Sequence, residues 1–322
     1  MRRSLDDVSE MGTPNGWGNR TYRSIPEGTV ELLQAKEANS LRISVVLPAL
    51  DEAGTIGKIC HTIANDLIQQ VGLVDELIVI DSGSADGTAD VAAAAGATVY
   101  NADDLTTFGP VRGKGDCLWR SLTVATGDII VWLDSDTRNL HDGFVRDLVA
   151  PLLLDDRFVM TKAFYDRPLV TDDAMLKTGG ARVTELAVRP LLQLFYPELV
   201  GLIQPLAGEY AGYAEVFLGL PFFTGYAVEI GLLIDVAERY GAERIAQVDL
   251  GMRVHRNRPV IELGRTSFQV ITALLKRLDD LGRIKIPDDL PQELMQFVPT
   301  TEGPRPTSVP LEIIERPPID TL

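Results

Sequence analysis

Two carboxylates stand directly after a predicted buried strand near the middle of the chain. Asp134 and Asp136 follow the apolar run at 129–133 and, being two positions apart, point toward the same side of the strand end. One carboxylate can bind a hard divalent cation, Mg²⁺ or Mn²⁺, and the other can bind the metal or a ribose hydroxyl. A cation held there would neutralise a diphosphate leaving group. Acidic residues after strands are also common turn formers, so this pattern alone leaves both explanations open.

A basic cluster surrounds one of the three histidines. His255 follows a predicted strand over Ile245–Met252. It is flanked by Arg253, Arg256 and Arg258, a dense basic group in a chain whose net charge is −16. A neutral imidazole can complete a metal site that carboxylates begin, whereas a solvated basic loop needs no ligand. The density of positive charge favours the functional interpretation.

Two glycine-containing segments precede predicted helices and have the composition of anion sites. The segment 112–115 carries Lys114, and the segment 178–185 carries Arg182 and Thr184. Backbone N–H groups at a helix N-terminus, together with basic side chains, bind phosphate or carboxylate groups. Neither segment has the spacing of a Walker A loop, and each can be a simple helix start. The two segments together favour a substrate with more than one anionic group.

Glu229 lies at the start of a helix predicted over Val228–Tyr240. A carboxylate there can bind sugar hydroxyls. It also interacts favourably with the positive end of the helix dipole, so its position alone does not assign a role.

Short apolar strands alternate with amphipathic helices over most of the chain, which predicts parallel β-α-β units in an α/β fold. Polar clusters at 48–52, 81–84 and 134–136 each follow a predicted strand, and Pro48 is expected to end the first one. Because ligands bind at the carboxyl ends of parallel strands, we expect these clusters to share one edge. Strands are predicted at 43–47, 76–80, 97–100, 128–133, 158–165 and 245–252, and longer helices at 53–69, 114–125, 144–154, 181–195, 228–240 and 267–281.

Composition excludes several classes of protein. The chain has 322 residues and a pI near 4.6, so non-specific nucleic-acid binding is not expected. No run of 18 apolar residues and no apolar signal-peptide core is present in the sequence, which predicts no membrane association. Its two cysteines do not form a disulfide framework. We therefore expect a cytoplasmic protein.

Three motifs resemble those of GT-A glycosyltransferases: VLPALDE at 46–52, DSGSADGT at 81–88 and the DXD motif at 134–136. Segments at 178–185, 204–210, 225–231 and 255–259 narrow the resemblance to the glucosyl- and mannosyl-3-phosphoglycerate synthases of glycosyltransferase family 81. It runs from about residue 42 to 284, and the sequence looks closest to the mannosyl-type members. Two positions depart from that family: Ala181, where relatives have Gly, and Asp51, where many have Asn.

The resemblance implies a GT-A fold, with a Rossmann-like, mostly parallel sheet flanked by helices and a mixed second half. It implies a nucleotide-sugar-binding subdomain at 42–136 and an acceptor-binding subdomain at 137–285. Outside it, the polar, irregular composition of 1–41 predicts an N-terminal arm, and the Pro and Thr that dominate from residue 298 onward predict an extended C-terminal arm at 286–322. The implied activity is hexose transfer from a nucleotide diphosphate sugar to the 2-hydroxyl of 3-phosphoglycerate, with retention of configuration. A homodimer is the default expectation for such a chain.

The resemblance also implies roles for individual residues. Asp136, Glu229 and Lys114 are the expected catalytic residues, and Asp136 and His255 are the expected ligands of Mg²⁺ or Mn²⁺. The nucleotide sugar is expected to contact Pro48, Ala49, Leu50, Glu52, Ser82, Lys114, Asp134, Ser135, Tyr226, Glu229 and Arg253, and the acceptor is expected to contact Ala181, Arg182, Thr184 and Asn257.

Three other classes stay open on the sequence alone. An inverting glycosyltransferase resembling family 2 would need a carboxylate base and usually a membrane partner. A sugar nucleotidyltransferase would need a glycine-rich basic loop after the first strand, where this chain has the segment 48–52. A binding protein on an inactive transferase fold would bind nucleotide without needing a metal.

Overall fold

The structure is a computed structural model that describes residues 14–23, 29–166, 169–170, 175–176, 181–254 and 259–322. Its strands are β1 (Thr21–Arg23), β2 (Ile43–Ala49), β3 (Glu76–Asp81), β4 (Thr98–Asn101), β5 (Ile129–Trp132), β6 (Met160–Asp166), β7 (Leu169–Val170), β8 (Met175–Leu176), β9 (Tyr210–Tyr213), β10 (Phe222–Phe223), β11 (Ile245–Met252), β12 (Glu293–Val298), β13 (Arg305–Pro310) and β14 (Glu315–Arg316). Its α-helices are α1 (Thr29–Ala38), α2 (Ala53–Thr62), α3 (Thr88–Ala94), α4 (Gly113–Ser121), α5 (Gly143–Leu154), α6 (Arg189–Phe195), α7 (Ala214–Leu218), α8 (Val228–Tyr240) and α9 (Val260–Asp280). Two π-helical segments, Ile63–Gln70 and Thr184–Val188, continue α2 and precede α6.

An eight-stranded sheet with the order β1-β11-β6-β9-β5-β2-β3-β4 forms the centre of the molecule. Neighbouring strands pair in parallel except at β9, which is antiparallel to both β5 and β6. The reversal separates the parallel group β5-β2-β3-β4 from the parallel group β6-β11-β1. This arrangement confirms the expected mostly parallel α/β sheet with a mixed second half.

Alternate residues of the central strands face opposite sides of the sheet. In β2, Val46 packs into one hydrophobic cluster, whereas Val45 and Leu47 pack into the other. Helices α4, α8 and α9 contribute to the first cluster, and α2 and α5 contribute to the second. Because both faces are covered, the strands are continuous apolar runs instead of alternating ones. No helix within the described ranges is long and apolar enough to cross a membrane.

Most predicted elements are present within a few residues of their expected bounds. The helix predicted at 228–240 and the strand predicted at 245–252 agree with α8 and β11 at both ends. Helix α9 is the largest difference, because it begins at Val260 and not at Ser267. The antiparallel strand β9 was not among the predicted strands.

Pro48 does not end β2, contrary to the prediction, because the strand continues through it to Ala49. The pairing of β2 with β5 stops at Val46, so no strand on that side requires an N–H from Pro48. The Oγ of Ser135 instead donates a hydrogen bond of 2.8 Å to the carbonyl of Pro48. The proline is therefore tolerated where β2 leads into the polar segment after it.

The described parts of both terminal segments pair with or pack against the rest of the fold. Near the N-terminus, β1 extends the sheet beside β11, and the buried Trp17 donates from Nε1 to the carbonyl of Glu198 at 3.0 Å. Near the C-terminus, where the sequence predicts an extended arm, β12 and β13 form an antiparallel hairpin and β14 pairs with β10.

Candidate active site

A cleft of about 680 Å³ opens at the sheet edge where β2, β3, β5 and β11 end. Every predicted site residue in the described part of the chain lines this cleft, whereas His255 and Asn257 lie outside the described residues. The fold thus brings together residues from both halves of the sequence, and their individual roles remain predictions. The lining residues that the sequence predicted are Pro48, Ala49, Leu50, Glu52, Ser82, Lys114, Asp134, Ser135, Asp136, Ala181, Arg182, Thr184, Tyr226, Glu229 and Arg253.

The loops after β2 and β3 are joined by hydrogen bonds between side chains and backbone. The N–H of Asp51 donates to the Oγ of Ser84 at 2.9 Å, and the Oδ1 of Asp51 accepts from the N–H of Ala85 at 2.8 Å. Asp51 has a φ of 54°, a left-handed conformation that Asn and Asp adopt more readily than other residues with a side chain. The departure from Asn to Asp at this position therefore preserves the loop.

A buried thiol contributes to the wall where the sequence places the nucleoside. The Sγ of Cys117 lies 3.0 Å from the Oγ of Ser82, and both residues line the cleft. Burial raises the pKa of Cys117 to about 11, so the group is a neutral thiol at neutral pH. The sequence did not assign Cys117 to the site, because a free cysteine is by default an inert, buried side chain.

The side chain of Lys114 forms a bridge between Asp134, which follows β5, and Glu229, at the start of α8. Its Nζ forms ion pairs with the carboxylate of Asp134 and, at 2.7 Å, with that of Glu229. Burial alone would lower the pKa of Lys114, but the adjacent Asp134 and Glu229 carboxylates raise it well above its ordinary value. Lys114 is therefore a fixed cation at the N-terminus of α4, where an anion is also favoured by the helix dipole.

Arg253 follows β11 and reaches the DXD carboxylates from the other side of the cleft. Its Nη2 donates to Asp134 at 2.9 Å and to Asp136 at 2.6 Å. Its Nε lies 3.0 Å from Glu209 and also donates to the Oγ1 of Thr137 at 3.0 Å. Burial acts to lower the pKa of Arg253, but the surrounding carboxylates raise it well above its ordinary value. One guanidinium thus holds both DXD carboxylates.

The reversed direction of β9 brings its N-terminal end to the same edge as the ends of β5 and β11. Gly208 stands there, directly against Asp134 and Lys114. A Cβ at position 208 would lie within hydrogen-bond distance of both the Asp134 carboxylate and, at 2.5 Å, Lys114 Nζ, so a side chain there would displace these two groups. Gly208 was missed at the level of single residues, although the segment 204–210 was part of the family resemblance.

Lys162 lies beneath this network, fully buried in β6. Its Nζ donates to the carbonyl of Ala207 at 2.6 Å and lies 4.3 Å from the ring centroid of Tyr210. Burial lowers the pKa of Lys162 from 10.5 to about 7, and Lys114 lowers it too, while the nearby Glu229 and, less strongly, the carboxylates of residues 209 and 134 raise it. The signal in the sequence was a single lysine inside the apolar run at 158–165.

The predicted acceptor side of the cleft begins at Ala181. This residue has a φ of 59°, in the left-handed region where a Cβ is strained and Gly is not. Arg182 and the buried Thr184 follow and line the cleft. The position where relatives carry Gly is therefore a position where the backbone itself favours Gly.

The fold and the cleft define a glycosyltransferase of the GT-A type. In agreement, the glycosyl transferase family 2 model matches residues 44–187. A glucosyl-3-phosphoglycerate synthase from Petrotoga mobilis is 46% identical over 299 residues, which cover 92% of this chain and 91% of that protein. The corresponding protein from Mycobacterium tuberculosis is 47% identical over 306 residues, covering 92% and 90% of the two chains.

Solved structures agree with the sequence comparisons. The mannosyl-3-phosphoglycerate synthase from Rubrobacter xylanophilus gives a TM-score of 0.86 at 39% identity, covering 94% of this chain and 96% of that chain. The glucosyl-3-phosphoglycerate synthase from Mycobacterium tuberculosis, in complex with Mn²⁺, UDP and glucosyl-3-phosphoglycerate, gives a TM-score of 0.81 at 45% identity, covering 94% and 98%. The chain belongs to the family of glucosyl- and mannosyl-3-phosphoglycerate synthases.

Replacing Lys162 by Met should change how stability depends on pH. The pKa of Lys162 is lowered on folding, so between pH 7 and about 10 the unfolded chain binds a proton that the folded chain does not. The free energy of unfolding of the unsubstituted protein should therefore rise relative to Lys162→Met by up to about 1.4 kcal/mol per pH unit across this window. Urea unfolding at pH 7, 8, 9 and 10 measures the difference.

The matched control is Lys285→Met, which removes a lysine whose side chain is 79% exposed. If the curves of the Lys162→Met variant and the unsubstituted protein run parallel from pH 7 to 10, Lys162 carries its proton in the folded state and the assignment is wrong.

Proposed function

We propose that this chain transfers a hexose from a nucleotide diphosphate sugar to the 2-hydroxyl of 3-phosphoglycerate. The observation that carries the proposal is the presence of two separate anion-binding groups in one cleft. Lys114 and Arg253 form the first beside the DXD carboxylates, and Arg182 with Thr184 forms the second at the start of another helical segment. A nucleotide diphosphate and a phosphorylated carboxylic acid require two such groups.

The carboxylates at the end of β5 suit a divalent cation. Asp134 and Asp136 both contact the single cationic nitrogen Nη2 of Arg253, and carboxylate oxygens are the donors that Mg²⁺ and Mn²⁺ favour. Within the described ranges, no group of three or more His, Cys, Asp or Glu side chains could hold a metal. We therefore propose Asp136 as one ligand and His255, by its motif, as another.

Charge explains why such a cation is needed. In the described network the carboxylates of Asp134, Asp136, Glu209 and Glu229 outnumber the cations of Lys114 and Arg253. An incoming diphosphate would therefore be repelled by the excess negative charge. A bound divalent cation would supply the missing positive charge and stabilise the departing diphosphate. Related structures from Mycobacterium tuberculosis contain Mn²⁺ or Mg²⁺ together with UDP.

The side chains of this site bind, orient and stabilise charge. Lys114, held between Asp134 and Glu229, is placed to donate hydrogen bonds to the diphosphate, and Glu229 is placed to accept from hydroxyls of the donor sugar. In a retaining transfer, the acceptor oxygen bonds to the anomeric carbon on the face that the diphosphate leaves. The hydroxyl proton then passes to the departing diphosphate oxygen, so this route needs no nucleophile from the protein.

The nature of the hexose is the finer part of the proposal. Among the solved structures, identity is 45% to the glucosyl-type enzyme from Mycobacterium tuberculosis and 39% to the mannosyl-type enzyme from Rubrobacter xylanophilus, whereas the mannosyl-type structure gives the higher TM-score. Glucose and mannose differ only at the C2 hydroxyl, so the choice depends on the sugar pocket beside Glu229 and Tyr226. We favour glucose on the sequence identities.

We also propose that the reaction takes place in the cytoplasm, because both cysteines are buried free thiols.

The first experiment is a product assay with 3-phosphoglycerate, Mg²⁺ and one of four donors: UDP-glucose, GDP-glucose, GDP-mannose or UDP-mannose. We expect release of the nucleotide diphosphate together with a phosphorylated glycoside, and the fastest donor identifies the sugar. Silence with all four donors contradicts the acceptor assignment, and release of nucleotide without a glycoside favours a different acceptor.

Two variants separate the metal side of the cleft from the acceptor side. Asp136→Ala should reduce turnover by at least about 10²-fold, because it removes a proposed metal ligand from the charge-stabilising site. Arg182→Ala should raise the KM for 3-phosphoglycerate about tenfold or more, because a charge-assisted hydrogen bond contributes about 1.5–3 kcal/mol. Steady-state kinetics in both substrates measure the effects. An unchanged acceptor KM in Arg182→Ala, or near-normal turnover in Asp136→Ala, contradicts the respective role.

We also propose that the chain forms a homodimer through the hairpin β12-β13. Met295 and Phe297, two positions apart in β12, point to the same face of the strand and are more than half exposed. Exposed apolar residues of this kind are expected at an interaction surface. Sedimentation velocity should show a dimer for the unsubstituted chain and a monomer for the Met295→Ser, Phe297→Ser double variant. A monomeric unsubstituted chain contradicts the dimer, and a dimeric double variant contradicts this interface.

A further inference from the structure

The segment 312–317, which we name the C-terminal strap, contacts α4, which carries Lys114, and the segment that leads into α8, which carries Glu229. Ile313 is buried in the hydrophobic cluster that α4, α8 and α9 share. The strap pairs with β10 through β14. Its end lies against α4, where the Nε1 of Trp119 donates to the carbonyl of Pro317 at 2.7 Å.

Arg316 makes the most specific of these contacts. It is buried, and its Nε and Nη2 donate to the two carboxylate oxygens of Asp116, both at 2.9 Å. Asp116 is fully buried in the first turn of α4, two residues after Lys114. The same carboxylate accepts from the backbone N–H of Arg112 at 2.9 Å, which fixes the start of the helix. A bidentate pair of this kind fixes orientation as well as distance.

The strap also holds the segment that leads to Glu229. The N–H of Thr224 donates to the carbonyl of Ile314 at 2.8 Å, and the N–H of Ile314 donates to the Oγ1 of Thr224 at 3.0 Å. The next residue, Gly225, donates from its N–H to the carbonyl of Arg112 at 3.0 Å. The strap, the segment 222–229 and the start of α4 thus form one hydrogen-bonded unit.

The packing inside this unit leaves little freedom for movement. A Cβ at Gly115 would lie 2.0 Å from the carbonyl oxygen of Phe223, which shows that α4 rests directly on β10. On the far side, Glu315 pairs with Arg277 of α9 at 2.6 Å, and Arg277 also pairs with Asp235 of α8. A shift of the strap would therefore be transmitted to α4 and to the segment before α8.

We propose that Arg316 is a positioning residue for the donor site, which holds Lys114 in place through Asp116 so that Lys114 meets the diphosphate of the nucleotide sugar. Arg316 is not among the described residues that line the cleft. Its side chain donates to Asp116 of α4 and, at 3.2 Å, to the carbonyl of Phe108, and neither of these residues lines the cleft. The inference rests on the proposed function where turnover is measured, whereas a second measurement, binding of the nucleotide diphosphate, does not depend on the acceptor. It gives the C-terminal strap a function in substrate binding.

The test compares Arg316→Ala, Arg316→Lys and the control Arg305→Ala. Arg305 is also in the C-terminal region, but it is exposed in the hairpin and pairs only with the exposed Glu302 among the ion pairs of the described residues. Each protein is assayed at least 15 °C below its own midpoint of thermal unfolding, so that loss of folded protein does not contribute. Turnover is measured with the best donor and 3-phosphoglycerate, and binding of the matching nucleotide diphosphate is measured by calorimetry with Mg²⁺.

We expect Arg316→Ala to lower kcat by about 10–100-fold, because a displacement of about 1 Å of a charged group at the reacting centre has effects of this size. The affinity for the nucleotide diphosphate should fall about fivefold or more, whereas the KM for 3-phosphoglycerate should not change. Arg316→Lys should recover part of kcat, because it keeps the charge but loses the bidentate geometry. Guanidinium chloride at low millimolar concentration should partly restore Arg316→Ala, and Arg305→Ala should stay within about twofold of the unsubstituted protein.

Wild-type kcat and nucleotide affinity in folded Arg316→Ala overturn the proposal and leave Arg316 with a role in stability alone. Equal losses in the affinities for the nucleotide and for 3-phosphoglycerate also overturn it, because they indicate a general disturbance of the cleft. If the unsubstituted protein binds nucleotide diphosphate but forms no glycoside, the proposed acceptor fails while the binding measurement still decides the role of Arg316. If the unsubstituted protein binds neither UDP nor GDP, the positioning role fails as well.

Discussion

The compensation of buried charge at the end of β5 is the constraint on which the rest of the site depends. Arg253 is almost completely buried and Lys114 is largely buried, and each is surrounded by carboxylates from several elements. Removing one partner of a buried ion pair typically costs about 3–5 kcal/mol, because the other charge is left without compensation. The network therefore requires the ends of β5 and β11 and the starts of β9, α4 and α8 to lie at one place. It also accounts for Gly208 beside Asp134, since a side chain there would displace the Asp134 carboxylate and the Lys114 ammonium.

The sheet topology makes this convergence possible. Parallel strands place their carboxyl ends at the ligand edge, so β2, β3, β5 and β11 supply residues from their last positions and from the segments that follow them. The antiparallel strand β9 supplies residues from the segment that precedes it, including Glu209, which pairs with Arg253. The interruption of the parallel order is thus the feature that closes the cleft on its second side, and it brings the buried Lys162 of β6 beneath the same network.

The first half of the fold could be predicted well from the sequence, because continuous apolar strands and polar strand ends are local patterns. The helix α8 and the strand β11 were predicted with their observed bounds for the same reason. The pairing of β9 was not predictable, since its direction depends on partners far away in the sequence. Lys162 was missed because a lone lysine in an apolar strand has no local signature of its contacts. The C-terminal strap lies in a region rich in Pro and Thr, whose composition predicts an extended arm. Only the tertiary contacts of the strap give it a fixed structure.

The two departures from the family resemblance fall on backbone positions of the same kind. Asp51 and Ala181 are both in the left-handed region, with φ values of 54° and 59°. The Asp51 side chain offsets the cost of this conformation by accepting a hydrogen bond from the N–H of Ala85, as an Asn side chain would also do. Ala181 has no such hydrogen bond to make, so it retains a strain of about 1 kcal/mol that Gly would avoid. The position is therefore defined by its backbone direction, which leads into Arg182 and Thr184. The side chain at 181 contributes only a cost, and Ala adopts there the left-handed backbone that leads into the predicted acceptor side of the cleft.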